Sequence, residues 1–296
     1  KDAMQSSRLL ARQWRLLAQA RRVNRTRGAW RRPALTPWVS RLEKALLQEF
    51  EKTERAIVRT LAGRAVTQQV VFRTVADATV ALERYDLDPA MANEPVDRKK
   101  LAAVLLLLAL WRDRQLRLLE EFAAEAFALG RTQVLRRIKR PDAPETVTTT
   151  ALLPQIVQRY LSDSQRFYAS LLDGSPRAEG VRALVEREPT LGEAALGIWK
   201  LWDSEGFRLG MWSESLVFFG WMTGYRAGVV DGSVQLVSEG LNPLRVKWVG
   251  PDDPVACDPC RNQFGFPIEV RSLADIPDPT SICAYGRACR HTWVVV

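Results

Sequence analysis

The chain has 296 residues, of which 47% are hydrophobic and 26% charged, and its formal net charge is +9. This length allows a large folded region plus a small appendage, and this composition excludes a wholly disordered chain. The charge is uneven: residues 1–32 carry ten lysines and arginines against Asp2 alone, so the remaining residues are neutral overall.

Residues 1–35 are therefore predicted to form a basic arm. Such a segment typically meets nucleic acid, an acidic protein surface or anionic lipid, and the alternative is a solvated terminus without a partner. Arginines interrupt every apolar run, which argues against a secretory signal, whereas a mitochondrial transit peptide is a closer rival. Arginines of this kind would bind double-stranded DNA without sequence preference. The candidate nucleic-acid-binding residues are Arg8, Arg12, Arg15, Arg21, Arg22, Arg25, Arg27, Arg31 and Arg32.

Residues 36–243 are predicted to be a helical region. Apolar residues three and four apart over 38–84 predict one or two amphipathic helices, with a start signal at Thr36 or Ser40 and a weak point at Gly63. Two prolines and several turn residues predict a loop over 85–97.

A long helix is predicted over 97–139, because this stretch lacks proline and consists of strong helix formers. Asp97 can cap its start, and Gly130 is a candidate interruption. The apolar run over 101–111 is too short to span a bilayer, so we interpret it as a buried helix segment and expect no membrane span.

Beyond a strand or loop at 145–150, helices are predicted over 152–172 and 178–187, followed by an aromatic-rich helical stretch over 191–235. Large aromatic side chains in helices are more often core or subunit-interface residues than platforms for stacking bases. We make that prediction for Trp199, Trp202, Trp212, Phe218, Phe219 and Trp221.

Residues 244–296 differ in character and are predicted to form a small cysteine-rich module. Strands are expected over 244–249 and 291–296, with a short third strand near 266–270, and turns connect them. A module of this size has a small hydrophobic core and usually needs a staple, that is, a disulfide or a bound metal ion that cross-links the chain. The predicted fold class is mainly α, with long helices and a small C-terminal α+β module stapled by zinc.

The staple is predicted from the cysteines, all four of which lie in this module. A Cys-x-x-Cys turn brings two thiolates to one ion, and later ligands complete a tetrahedron around zinc. A structural zinc fits better than a catalytic one because no helper carboxylate motif is present. Two disulfides or unliganded thiols are the alternatives. The five candidates for four positions are Cys257, Cys260, Cys283, Cys289 and His291.

Motifs for catalysis are missing from the sequence: it has no Gly-rich phosphate loop, no nucleophile elbow and a single histidine. We therefore expect a protein that is not an enzyme, with a carboxylate-dependent nuclease as a less favoured alternative. A zinc-ribbon regulator that binds nucleic acid is the other alternative. It is weakened because residues 245–296 hold as many acidic as basic residues.

The C-terminal third resembles the C-terminal domain of the phage Mu F-like head morphogenesis, or minor head, protein family. In that family a helix leads to a strand ending in tryptophan, then a D-x-x-V-C-x-x-C turn, a loop and a closing strand with His-Pro-x-Cys-Arg-Cys. Trp248, an aspartate at 252 or 253, Val255, Cys257 and Cys260 match the first part. Cys289, Arg290 and His291 match the closing Cys-Arg-Cys with its last position changed, and Cys283 stands near the place of the family's histidine.

The resemblance implies a structural virion component that docks at the portal inside the capsid and assists head assembly, DNA packaging or ejection. It implies the portal protein, capsid or scaffolding proteins and double-stranded DNA as partners, and an oligomeric state in the virion. The expected location is the capsid interior near the portal, with host cytoplasm as the location during assembly.

Overall fold

The computed structural model describes residues 35–63, 78–146, 149–176, 178–187, 190–250, 257–263, 266–283 and 291–296. Its helices are α1 (Thr36–Leu61), α2 (Ala78–Arg84), α3 (Leu101–Arg137), α4 (Thr149–Asp173), α5 (Val181–Glu186), α6 (Leu191–Glu205), α7 (Phe207–Ser238), α8 (Asp258–Arg261) and α9 (Pro279–Ile282). Its strands are β1 (Gly174–Ser175), β2 (Ala178–Glu179), β3 (Arg245–Val249), β4 (Ile268–Glu269) and β5 (Thr292–Val295). The predicted fold class, mainly α with a few short C-terminal strands, is confirmed.

Two local predictions differ from the structure. The helix predicted over 178–187 begins only at Val181, because Ala178 and Glu179 pair antiparallel with β1 as strand β2. Of the strand or loop predicted at 145–150, residues 149 and 150 already belong to α4.

The long helix α3 follows the prediction in extent but only partly in burial. A 3-10 turn at Arg98–Lys100 leads into it, and the side chain of Asp97 accepts a hydrogen bond from the backbone N–H of Lys99. The helix passes through Gly130 without a break. The interpretation of 101–111 as a buried segment holds for one side of the helix only: Val104, Leu108 and Trp111 are buried, but Leu106 is 60% and Leu110 44% exposed. The run is apolar on every side of the helix, so its hydropathy did not reveal which side is covered.

The chain divides into two compact units, and the described parts of the first are Glu43–Leu118 and Leu161–Met211. Aromatic side chains form the centre of this unit. The centre of the Phe50 ring lies 5.1 Å from the ring centre of Trp202, 5.4 Å from that of Trp111 and 5.5 Å from that of Phe167. The indole N–H of Trp202 donates to the carbonyl of Phe50 over 2.9 Å, so this buried ring also meets its hydrogen-bonding need.

A buried polar cluster joins α1 to α2 within the first unit. The carboxylate of Glu54 accepts hydrogen bonds from Arg84 at 2.9 Å and from the hydroxyl of Tyr85 at 2.8 Å. Burial raises the pKa of Glu54 to about 7, and the pairing with Arg84 opposes part of that rise. Arg59 donates to the backbone carbonyl of Tyr85 and pairs with Asp86. The start of the loop after α2 is therefore fixed by ionic contacts as well as by packing.

The described parts of the second unit are residues 35–42, Leu119–Tyr160 and Trp212–Val296. Its centre is the packing of α7 on α3, which glycines at every fourth position of α7 make very close. A Cβ atom added to Gly224 would lie 1.9 Å from the carbonyl oxygen of Phe127, and one on Gly228 would lie 2.8 Å from that of Arg131. Gly130 faces the backbone of Trp221 in the same way. The two helices thus meet backbone to backbone, which only glycine permits.

Asp231 on α7 is fully buried and holds the segment after α3. Its carboxylate pairs with Arg131 at 2.7 Å and accepts hydrogen bonds from the backbone N–H and hydroxyl of Thr146. Arg131 in turn donates to the carbonyl of Ala143. A buried charge is tolerated here because it is paired and hydrogen-bonded.

The strands predicted in the C-terminal module are present as β3, β4 and β5. They form one antiparallel sheet in the order β4-β3-β5, in which Trp248 lies opposite Trp293 and Val246 opposite Val295. These four side chains are buried.

Most of the aromatic residues predicted as core in the helices are buried. These are Trp202, Trp212, Phe218, Phe219 and Trp221, whereas Trp199 is partly exposed.

Candidate metal centre

Three of the predicted ligands come together in the C-terminal module. The sulfur atoms of Cys257, Cys260 and Cys283 all lie within 4.8 Å of one another, and those of Cys257 and Cys283 are 3.8 Å apart. Cys260 and Cys283 are buried and Cys257 is partly exposed. No disulfide links these three cysteines.

Short turns with few residues bring each sulfur into place. Cys257 immediately precedes α8, and its carbonyl accepts hydrogen bonds from the backbone N–H groups of Cys260 and Arg261 at 3.0 Å. Pro259 lies in the first turn of α8, where its missing N–H costs nothing. Cys283 directly follows α9, and its N–H donates to the carbonyl of Pro279. The sequence therefore forms two tight turns whose ends converge.

The spacing of the sulfurs suits a metal ion. Four thiolates around zinc, each at about 2.3 Å, place the sulfur atoms about 3.8 Å apart, which is the separation of Cys257 and Cys283. A disulfide would need about 2.05 Å. A set of three soft ligands favours zinc or another metal that prefers thiolates. The three cysteines can therefore hold a metal ion.

The fourth ligand remains a prediction. Cys289 lies outside the described residues. His291 is described and buried, but the candidate ligands that lie close together among the described residues are the three cysteines without it. Its ring instead stacks on Trp248, with 6.0 Å between the ring centres and 13° between the planes.

His291 also packs against the end of β3. A Cβ atom on Gly250 would lie 2.0 Å from Cδ2 of His291, so any side chain at position 250 would displace the imidazole. This close approach fixes the start of β5 relative to the end of β3. No pattern in the sequence predicts the contact between Gly250 and His291.

The module is held on α7 by contacts that sequence reasoning missed. The hydroxyl of Tyr225 accepts a hydrogen bond from the backbone N–H of Val295 at 3.0 Å. Arg226 donates to the carbonyls of Ile276 and Leu273 and lies 3.9 Å from Asp278. These two neighbours on one helix therefore fasten both the last strand and the loop before α9.

The same loop has an internal anchor in Asp275. Its carboxylate accepts hydrogen bonds from the backbone N–H groups of Arg271 at 2.9 Å and Ser272 at 2.7 Å. These bonds favour the ionised form and lower the pKa of Asp275. Together with Trp293, whose indole N–H donates to the carbonyl of Pro277, they fix the path that leads to Cys283.

The arginines proposed to contact DNA, from Arg8 to Arg32, lie outside the described residues. Asp258 and Glu269, the described carboxylates near the first cysteine pair and β4, are exposed. In the part of the chain that the structure describes, no helix is long and apolar enough to cross a membrane.

No protein-family model matches this chain, and comparisons with curated proteins and with solved structures found no significant match.

Proposed function

We propose that this chain is a structural phage minor head protein, not an enzyme, whose C-terminal module is stapled by a zinc ion. The observation that carries the proposal is the arrangement around the cysteines. A helix, a strand with Trp248, the turn of Cys257 and Cys260, and a closing strand after His291 follow one another and pack as one structure. This is the order of elements on which the resemblance to the Mu F-like family rests.

Zinc is proposed as the ion because two tight turns supply three thiolates. The ion would link the turn after β3 to the turn after α9, and so would close the loop between them. The sheet of this module has strands of only five, two and four residues, so its hydrophobic core is small. A metal cross-link would supply stability that such a core cannot. When bound, zinc would supply structural stability and no reaction step.

The proposed role is docking at the portal inside the capsid, with assistance to head assembly, DNA packaging or ejection. Its partners would be the portal protein, capsid or scaffolding proteins, and double-stranded DNA contacted without sequence preference by the basic arm. The proposed location is the capsid interior, with host cytoplasm during assembly. Long helices with an end module held on α7 support a scaffold role, because each packed helix can present a fixed surface.

The test is the presence of the chain in heads purified from a phage that carries its gene. We expect quantitative mass spectrometry to find the chain at low copy number in intact heads, and chemical cross-linking to join it to the portal protein. A variant with both Cys257 and Cys260 changed to serine should be depleted from the heads, whereas Glu269→Gln, an exposed change in the same module, should not. Absence of the wild-type chain from intact heads would overturn the proposal.

A further inference from the structure

The first three turns of α3 present an apolar face to solvent. Ala102, Ala103, Leu106 and Leu110 are all exposed, and their spacing of three or four residues places them on one side of the helix. Val104 and Leu108, on the opposite side, are fully buried in the first unit. Single exposed leucines are ordinary, but a contiguous apolar stripe on a helix marks an interaction surface.

Charged residues lie at both ends of this face. Lys99, in the turn before α3, and Asp113, one turn after Leu110, are both exposed and fall on the same side of the helix as Leu106. Asp113 is half exposed, and its present partner is the adjacent Arg112 at 3.1 Å. The face therefore has a lysine at one end, an apolar middle and, at the other end, an aspartate paired with Arg112.

We propose that this face binds the same face of a second copy of the chain, with the two α3 helices antiparallel. A two-fold axis at Leu106 brings together positions equally distant from 106 on either side. Leu106 then faces Leu106 of the second copy, the large Leu110 faces the small Ala102, and Lys99 faces Asp113. Size and charge are complementary at these three positions, although one sequence supplies both sides.

Other arrangements of two copies lack this match. Parallel helices would place Lys99 opposite Lys99 and Asp113 opposite Asp113, and like charges at close range oppose association. The matched area is small compared with that of a standard stable interface, so the pairing is expected to be weak for the isolated chain. Pairing in an assembly that already holds several copies would be stronger, because tethering raises the effective concentration.

Sedimentation of the purified full-length chain over a wide concentration range tests the inference. We expect a reversible monomer–dimer equilibrium, and Leu106→Asp should weaken the dimer by about tenfold or more, since two carboxylates would meet at the axis. Leu241→Asp is the matched control, because Leu241 is similarly exposed at 51% but lies after α7, and it should leave the dimer unchanged.

A charge exchange makes the test specific for the antiparallel register. Lys99→Asp and Asp113→Lys should each weaken association by several fold, and the double variant should restore it, because the opposed pairs are then re-formed with reversed sign. A wild-type chain that stays monomeric at all concentrations, a dimer insensitive to Leu106→Asp, or a double variant no better than the single ones would overturn the inference. These results are independent of the metal content and of the presence of the chain in phage heads.

Discussion

Replacing Gly224 by alanine tests the backbone contact between α3 and α7. The new Cβ would lie 1.9 Å from the carbonyl oxygen of Phe127, 2.6 Å from its carbonyl carbon and 2.8 Å from its Cα. All three are backbone atoms of a helix, so no side chain can rotate away to make room. The two helices would have to separate by about 1 Å to restore an ordinary contact.

The expected cost combines two opposite effects. Overpacking costs about 1–3 kcal/mol, and the upper end applies because the obstructing atoms are backbone. Alanine is about 1 kcal/mol more favourable than glycine inside a helix. The net loss is therefore about 2 kcal/mol, which lowers the melting temperature by about 4–8 °C for a protein of this size class.

Thermal and urea denaturation followed by circular dichroism measure this change. Gly232→Ala is the matched control on the same helix. Its Cβ would meet Cδ1 of Ile138 at 2.3 Å, and this flexible end of a side chain can move, so we expect a change near zero. If Gly224→Ala were as stable as the wild type or as Gly232→Ala, the close packing of the two helices would be refuted.

Three further predictions concern other parts of the molecule. Burial raises the pKa of Glu54 to about 7, so its contribution to stability is complete below its ordinary pKa and is lost as pH rises through 7. In urea titrations from pH 4 to 8, the wild type should lose up to about 3 kcal/mol of stability relative to Glu54→Gln. Curves of stability against pH that run parallel for the two proteins would contradict this prediction. Arg226→Ala should release the loop before α9 and speed amide hydrogen exchange over 271–283, with helix α6 as the internal control. Unchanged exchange would show that Arg226 does not hold this loop. Changing Cys257 and Cys260 to serine should expose the C-terminal module to protease while the helical signal persists, and a protease-resistant module would argue against the staple.

Much of the helical framework was predictable because local signals agreed. Of the two expected start signals, Thr36 and Ser40, the first helix begins at Thr36, and proline-free helix formers predicted the extent of α3 closely. The strands expected over 244–249 and 291–296 are present as β3 and β5. Periodicity could not predict which side of 101–111 is buried, because apolar residues surround the helix there.

The grouping of three cysteines was predictable from the sequence, but the contacts that hold the C-terminal module in place were not. The spacing of Cys257 and Cys260 indicated convergence, and Cys283, one of the three further candidates, lies beside them. The hold of Tyr225 and Arg226 on the module was not visible, because it depends on contacts between residues about fifty to seventy positions apart. The glycines of α7 did carry a signal, a repeat of one glycine in every four residues from Gly220 to Gly232, and this repeat indicates a close helix contact.

The metal content of the chain, purified under reducing conditions and without added metal, tests the central claim most directly. We predict about one zinc per chain by elemental mass spectrometry, with sulfur ligands at about 2.3 Å in X-ray absorption spectra. Changing Cys257, Cys260 and Cys283 to serine together should abolish the zinc while the helical circular dichroism remains. An intact chain that holds no metal, or whose cysteines are joined in disulfides, would contradict the account.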